Sequence, residues 1–166
     1  ATARDALREL IEGLKHPAQS VRFVAQRRLG ERGAKAISEL YKLLKDANAP
    51  EYARWSAIWT LDRFELQDNG EATRAYLKVM LDAAVTDTVP LTVRLQAIRQ
   101  LGTRAERLEK DTELRSSINL ALMPLLRSTD AALRFRTATT LGRIGDANAV
   151  EDLIANLTDK DLFARF

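Results

Sequence analysis

A ten-residue pattern recurs four times along the chain without gaps, and it limits the fold more than any other property of the sequence. The copies are VRFVAQRRLG (21–30), ARWSAIWTLD (53–62), VRLQAIRQLG (93–102) and LRFRTATTLG (133–142), and a fifth begins at residue 164. One arginine marks the same place in each copy: Arg22, Arg54, Arg94, Arg134 and Arg165. Their spacings of 32, 40, 40 and 31 residues are typical of repeats made of two helices.

Three apolar positions accompany this marker arginine, which we number as position 0. They are position −1 (Val21, Ala53, Val93, Leu133), position +3 (Ala25, Ala57, Ala97, Thr137) and position +7 (Leu29, Leu61, Leu101, Leu141). Steps of four residues place them on one stripe of a helix. A small residue at +3 lets a neighbouring helix approach closely, and the leucine at +7 fills the space beyond it.

The sequence therefore predicts an all-α superhelix, an α-solenoid of about four and a half helix pairs, in a single domain spanning residues 1–166. The repeats are expected at about residues 2–31, 34–66, 71–107, 110–144 and 147–166, the last of them truncated. Each has a first helix and a second helix, and the second carries the marker arginine. Asp130 and Asn148 are placed to cap helices, and Pro124 should kink one.

The pattern resembles HEAT repeats, and particularly the HEAT-like type found in phycobilin lyases. The stretch LGRIGDANAVEDLIANLTDKD (141–161) is similar to a run in that family, and ALMPLL (121–126) resembles the kinked first helix of ordinary HEAT units. The resemblance covers nearly the whole chain and concerns the fold, because such repeats serve many functions.

This resemblance implies a structural ladder in which the marker arginines bind nearby aspartates between successive repeats. Asp46, Asp87 and Asp159 are the candidate partners. His16 and Ser128 stand at the equivalent places of the first and fourth repeats, so the ladder is incomplete in the sequence.

The fifth repeat lacks most of its second helix, since the sequence stops at Phe166. Solenoids need a polar cap at each end, whereas four apolar side chains of the last first helix would be partly uncovered here: Val150, Leu153, Ile154 and Leu157. We therefore expect a piece of a longer array that associates end to end through its uncapped C-terminal repeat.

The available side chains exclude several kinds of site. Cysteine is absent, so the chain cannot form disulfides, thiolate metal sites or cysteine nucleophiles. His16 is the single histidine, so a Ser/His triad could be built on that residue alone. His16 lies in a turn and is interpreted as a helix cap. We predict no catalytic residue, no metal site and no cofactor.

No apolar run approaches the ~18 residues of a membrane span, so we expect a soluble chain without a membrane partner. Two compartments stay open: the cytoplasm and, for a piece of a secreted bacterial protein, the periplasm.

The second helices are the basic part of the chain. Over residues 18–32, 51–66, 90–107 and 131–145 their net charges are +3, −1, +3 and +3, and the resemblance to HEAT solenoids implies that they line the concave surface. Apart from the marker arginines, five cations and one aromatic side chain form the predicted partner-binding stripe on this face: Arg27, Trp59, Arg63, Arg99, Arg136 and Arg143.

The two tryptophans receive opposite interpretations. Trp59 occupies position +5, where other repeats carry arginine or threonine, so we expect it to be exposed. Trp55 occupies position +1, which is bulky and apolar in every copy, so we expect it in the core. The other members of this row are Phe23, Leu95, Phe135 and Phe166.

These observations favour a non-catalytic scaffold that binds a protein or an acidic peptide on a basic concave face. Nucleic acid is the alternative partner, because Trp59, Asp62 and Arg63 share one helical turn in a way that resembles HEAT-like DNA glycosylases. A chromophore-positioning role like that of phycobilin lyases stays open on the repeat alone. So does a spacer role, since residues 13–33 are similar to solenoid segments of large bacterial redox proteins that carry haem.

Overall fold

The computed structural model describes residues 3–64, 70–109, 111–162 and 164–165, which form helices and turns without a strand. The odd-numbered helices below are the predicted first helices, and the even-numbered ones are the second helices. They are α1 (Ala3–Leu14), α2 (Gln19–Arg32), α3 (Ile37–Lys45), α4 (Glu51–Asp62), α5 (Glu71–Val85), α6 (Leu91–Thr103), α7 (Thr112–Leu122), α8 (Ala131–Ile144) and α9 (Val150–Asn156). The predicted all-α class is confirmed.

Contacts between residues divide the chain into two compact units. Unit 1 contains residues 1–79 and 87–93, and unit 2 contains residues 80–86 and 94–166. Within unit 1, α1 packs on α2, α3 packs on α4, and α2 lies against α4. Within unit 2, α8 packs on α7 and α9, and a hydrogen bond from Arg94 to Ala84 joins α6 to α5. Each unit is thus built from pairs of helices.

The stripe at positions +3 and +7 forms the core, as the sequence predicts. All four leucines at +7 are fully buried, and so are the small residues at +3. Position −1 is buried in three repeats, but Val21 in α2 is 38% exposed. Each leucine at +7 contributes about 2–5 kcal/mol, the usual cost of truncating such a side chain to alanine.

Helix capping follows the sequence at one predicted position and departs from it at another. Asp130 caps α8, since its carboxylate accepts a hydrogen bond of 2.9 Å from the N–H of Leu133. The predicted cap at Asn148 is wrong. The carboxylate of Asp146 accepts a 2.9 Å hydrogen bond from the N–H of Asn148, at a 3-10 turn that leads into α9. The Asp146 carboxylate therefore starts the turn.

Two other local interpretations concern Pro124 and His16. Pro124 ends α7 rather than kinking it: α7 stops at Leu122, and a 3-10 helix, Met123–Arg127, follows. The proline lacks an N–H and its ring crowds the preceding turn, so the α-helical bonds cannot continue. The interpretation of His16 as a helix cap is wrong: its Nδ1 accepts a hydrogen bond of 3.1 Å from the N–H of Ala18, the residue before α2, and no side chain caps that helix.

Candidate functional site

In the second helices, the side chains at position +1 point away from the core. Position +1 lies two residues from the buried position +3, which is about 200° of rotation around the helix axis. The side chains there are accordingly exposed, by 55% for Phe23, 40% for Trp55 and 37% for Phe135, and Leu95 is half-buried. The fifth member of the row, Phe166, lies outside the described residues. We call positions +1, +2, +5 and +9 the open side of each second helix.

The expectation that Trp55 belongs to the core is therefore wrong. That expectation followed the size and polarity of the residues at +1, whereas the direction of a side chain is set by its angle around the helix. Ala57 at +3 is fully buried in the same helix, so Trp55 points the opposite way. The two-residue spacing from this small buried residue was the signal in the sequence that could have identified the exposed row.

Trp55 and Trp59 together form an aromatic surface on α4. Their ring centroids are 5.7 Å apart and the planes meet at 80°, an edge-to-face arrangement. Such a pair stabilises by about 0.5–1.5 kcal/mol beyond its buried area and fixes the two rings. The expectation that Trp59 is exposed is wrong, because Trp59 is half-buried, whereas Trp55 is exposed. Trp55 is thus the more accessible ring, and it was missed as a site residue.

The two predicted site arginines of unit 1 lie on the open side. Arg27 follows Phe23 by four residues on α2, and Arg63 follows Trp59 by four residues at the end of α4. Both arginine side chains are exposed. Because residues four apart lie on the same face of a helix, each cation is next to an aromatic residue. Unit 1 therefore presents aromatic rings with cations beside them.

The other three predicted arginines are brought together in unit 2. Arg136 and Arg143 are two helical turns apart on α8, a rise of about 10.5 Å. α8 contacts α6 directly, because the hydroxyl of Thr140 donates a hydrogen bond of 2.9 Å to the carbonyl oxygen of Ile98. Arg99 follows Ile98, so it lies at a level of α8 between the other two arginines. We call Arg99, Arg136 and Arg143 the arginine triad.

The charges of the arginine triad act on one another. The pKa of Arg136 is lowered, first because the side chain is partly buried and then because Arg99 and Arg143 are both positive. The guanidinium carbon of Arg136 also lies 5.8 Å from the ring centroid of Phe135, within cation–π range. Neither α6 nor α8 contains an acidic residue. The triad is a concentrated positive site.

The marker arginines bind the backbone where the first helix of a pair ends. Nε of Arg54 donates to the carbonyl oxygen of Leu44 over 2.8 Å, and Nε of Arg94 donates to that of Ala84 over 3.0 Å. In both cases the acceptor is ten residues earlier. Arg54 also reaches forward, since its Nη2 donates to the carbonyl oxygen of Thr88 over 3.4 Å. These side chains are buried and hold turns together.

Arg134 contacts a carboxylate directly. It forms a two-point ion pair with Asp159 over 2.5 and 2.8 Å, and it donates to the carbonyl oxygens of Ser128 and Thr129. The hydrogen bonds from Arg134 lower the pKa of Asp159 to about 2. Arg165 donates to the backbone oxygen of Asp159 over 2.5 Å. Asp159 thus links the marker arginines of two successive repeats.

Asp46, another predicted partner, acts differently. Its carboxylate accepts a hydrogen bond from the N–H of Asn48 over 3.0 Å. Burial lowers the pKa of Arg54, and the charges of Asp46 and Glu51 act in the opposite direction. Asp46 therefore stabilises the charged form of Arg54 through space, while backbone oxygens accept the hydrogen bonds that Arg54 donates.

Arg22 shows how the ladder adapts where the first repeat has no aspartate. It donates to the carbonyl oxygens of His16 and Pro17 over 3.0 and 2.6 Å. Its guanidinium carbon also lies 4.7 Å from the ring centroid of Tyr52, within cation–π range. A structural role for the five marker arginines stays our interpretation of these contacts.

The remaining features of the described residues are modest. They contain no group of three or more His, Cys, Asp or Glu side chains that could hold a metal ion. None of their helices has the length and apolar character needed to span a membrane. An open cavity of about 420 Å³ lies between α1 and α2, with apolar lining from Leu10, Val21 and Val24.

The fold has counterparts among known proteins. Twelve chains of solved structures match. One is in the complex of CpcE and CpcF of phycocyanin lyase from Nostoc sp. PCC7120, at 21% identity, with 96% of this chain and 94% of that chain covered and a TM-score of 0.73. At this identity the likeness concerns the fold, and the predicted HEAT-like solenoid is confirmed. No curated protein matches this chain in sequence.

The family assignment follows from the sequence itself. A model of the family described as HEAT repeats matches residues 7–102 and, a second time, residues 77–165. Together the two matches cover nearly the whole chain. The chain belongs to the HEAT-repeat family.

Proposed function

We propose that this chain is a non-catalytic interaction scaffold that binds an acidic segment of a protein partner on the open side of its second helices, the side predicted from the sequence to be concave. The observation that carries the proposal is the row of exposed aromatic side chains at position +1, with arginines beside it. A soluble helix rarely leaves the same bulky apolar position exposed in successive repeats without a partner for it.

The composition of the open side supports a protein partner. Tryptophan and arginine are strongly enriched among the residues that dominate binding energy at protein interfaces. In unit 1 the exposed rings of Phe23 and Trp55 would serve as apolar anchors. In unit 2 the ring of Phe135 would contact an apolar residue of the partner, and the arginine triad would bind an acidic residue next to it.

The charge of the open side supports an acidic partner. α6 and α8 carry arginines and no acidic residue. Burial lowers the pKa of Arg136 most, and the positive charges of Arg99 and Arg143 lower it further, so like charges repel one another there. A negative group would relieve this repulsion, and complementary charge also accelerates association.

The neighbouring structure, a complex of two proteins in a lyase, supports assembly with another protein and raises a catalytic alternative. This sequence has no cysteine and one histidine, and His16 accepts a backbone hydrogen bond in a turn. Cysteine nucleophiles are therefore absent, and histidine, the side chain most often used for proton transfer, occurs once. We propose the binding role on this ground.

End-to-end association of the chain stays a separate proposal. In α9 and just after it, Val150, Ile154 and Leu157 are exposed, and burying such side chains stabilises an interface. Sedimentation at rising concentration tests it: a dimer that Ile154→Glu abolishes supports it, and a monomer at all concentrations contradicts it.

Fluorescence anisotropy tests the binding function. A labelled peptide that alternates glutamate with phenylalanine and leucine is titrated with the chain, beside a peptide with lysine in place of glutamate and a labelled single-stranded DNA. We expect the acidic peptide to bind most tightly. Phe23→Ala and Arg143→Gln should each weaken it about 5- to 30-fold, the range for interface anchors, without changing the circular dichroism spectrum.

Arg127→Gln is the matched control. Arg127 is exposed at the turn after α7, where it pairs with Asp152 over 3.1 Å, so its loss removes one charge outside the open side. Equal weakening by Arg127→Gln and Arg143→Gln would contradict the proposal. So would tighter binding of the DNA, or no binding of the acidic peptide.

A further inference from the structure

We infer that the arginine triad, Arg99, Arg136 and Arg143, is a binding site for the phosphoryl group of a phosphorylated side chain on the protein partner. The inference rests on the proposed function, because it names the chemical group by which that partner is recognised in unit 2.

The register of α6 against α8 makes the three arginines one site. The contact between Thr140 and Ile98 fixes which residues lie side by side. A Cβ atom on Gly102 would approach Thr140 to 3.0 Å, so the two backbones are close there. Arg99 therefore lies on α6 at the level between Arg136 and Arg143, and the charges of Arg99 and Arg143 both act on Arg136.

Thr139 lies on α8 between Arg136 and Arg143. It follows Arg136 by three residues and precedes Arg143 by four, so all three lie on one face of α8. Its side chain is half-buried, and its hydroxyl donates to the carbonyl oxygen of Phe135 over 2.9 Å. A short side chain between long cations leaves room for an anion among the guanidinium groups.

Two charges of the site, those of Arg136 and Arg143, are left without an acidic partner in the part of the chain that the structure describes. Arg94 and Arg134, which also lie on α6 and α8, bind structural partners: Arg94 donates to Ala84, and Arg134 pairs with Asp159. Arg136 and Arg143 form no ion pair with any acidic side chain in the described ranges. An anion from outside is the group that complements them.

A phosphoryl group matches the triad better than a carboxylate does. It carries about −1.5 to −2 charges at neutral pH and three acceptor oxygens, so one group can neutralise several arginines. Guanidinium groups bind such oxygens in pairs with fixed geometry. Separate carboxylates would have to be crowded together to supply the same charge.

A protein carrier is favoured over nucleic acid. Nucleic acids neutralise a series of cations along an extended track, whereas the triad is a compact cluster. Phe135, exposed beside Arg136, supplies an apolar surface that suits the residues flanking a phosphorylated side chain.

The test compares three degenerate peptide libraries that differ only in a fixed central residue: phosphoserine, glutamate or serine. Their affinities for the full chain are measured by competition against a labelled phosphoserine peptide, with inorganic phosphate and single-stranded DNA as further competitors. We expect the phosphoserine library to bind about tenfold or more tightly than the glutamate library, as charge-assisted hydrogen bonds imply.

Variants locate the binding. Arg136→Gln and Arg143→Gln should each lose about tenfold in affinity for the phosphoserine library, while the control Arg127→Gln keeps it. Arg136→Lys should restore only part of the loss, because lysine lacks the planar fork with which arginine binds two oxygens in a fixed geometry. Circular dichroism melting verifies that each variant is folded.

The outcomes separate this inference from the proposed function. Equal affinity for phosphoserine and glutamate libraries overturns the inference and leaves the scaffold function intact. Competition by inorganic phosphate as strong as by the library, or tighter binding of DNA, also overturns it. If neither acidic library binds, both proposals fail.

Discussion

Thr140 lies against the bare backbone of Gly102: a Cβ atom on Gly102 would come within 3.0 Å of its Oγ1 and 3.1 Å of its Cα. From there the Thr140 hydroxyl reaches the carbonyl oxygen of Ile98 over 2.9 Å. The missing side chain at Gly102 is what lets α8 approach α6. The same approach sets Arg99 beside Arg136, so the glycine positions the candidate site as well as the core.

Replacing this glycine should therefore destabilise the fold. We expect Gly102→Ala to lower the free energy of unfolding by about 1–3 kcal/mol, because the new methyl group overpacks a close contact between helices. Urea denaturation followed by circular dichroism measures the change.

Gly142→Ala is the control, since it makes the same change at the same repeat position in α8, where a Cβ atom meets nothing within 4 Å. We expect it to raise stability by about 0.5–1 kcal/mol, the usual gain of alanine over glycine inside a helix. Equal effects of the two substitutions would contradict the close approach at Gly102.

The exposure of Trp55 leads to a second expectation. Trp55→Ala should cost only about 1 kcal/mol, mainly the edge-to-face contact with Trp59. Leu61→Ala in the same helix should cost about 2–5 kcal/mol, because Leu61 is fully buried. Denaturant midpoints of the two variants give the comparison. A loss at Trp55 as large as at Leu61 would show that the ring belongs to the core after all.

The ion pair between Arg134 and Asp159 should make stability depend on pH. The pKa of Asp159 is lowered from 3.8 to about 2 in the folded chain. A carboxyl with a lowered folded pKa stabilises the fold above its unfolded pKa, and the effect is lost as the pH falls toward the folded pKa. The stability difference between the parent chain and Asp159→Asn should be largest above about pH 5 and should shrink as the pH falls below about 4.

Asp152→Asn serves as the control for this measurement. Asp152 pairs with the exposed Arg127, and surface pairs of this kind contribute little. Urea midpoints at several pH values should therefore show almost no difference for Asp152→Asn. A difference for Asp159→Asn that does not change with pH would contradict the role of its charge.

Much of the fold could be predicted because helical periodicity is written into the sequence four times. The leucines at +7 and the small residues at +3 recur at fixed spacing, and such a stripe has few ways to be buried. The resemblance to HEAT-like repeats named Arg134 and Asp159 as members of a charged ladder, whereas the choice of Arg134 as the partner of Asp159 follows from the packing of the helices. By contrast, nothing in the sequence marks the carbonyl oxygens of Leu44 and Thr88 as acceptors for Arg54, because every residue has one.

The candidate site was predicted only in part for two physical reasons. Residue type suggested burial for Trp55, whereas the angle around the helix directs it outward. The grouping of Arg99 with Arg136 depends on the lateral register of two helices, which is set by the contact at Gly102 and not by spacing along the chain.

Backbone amide NMR shifts on addition of the acidic peptide test most directly whether the open side of the second helices is the binding surface. We expect the perturbed amides to lie in α2, α4, α6 and α8, around positions +1, +5 and +9, with those of α1, α3 and α7 unchanged. Perturbations centred on the first helices, or none at saturating peptide, would contradict this assignment.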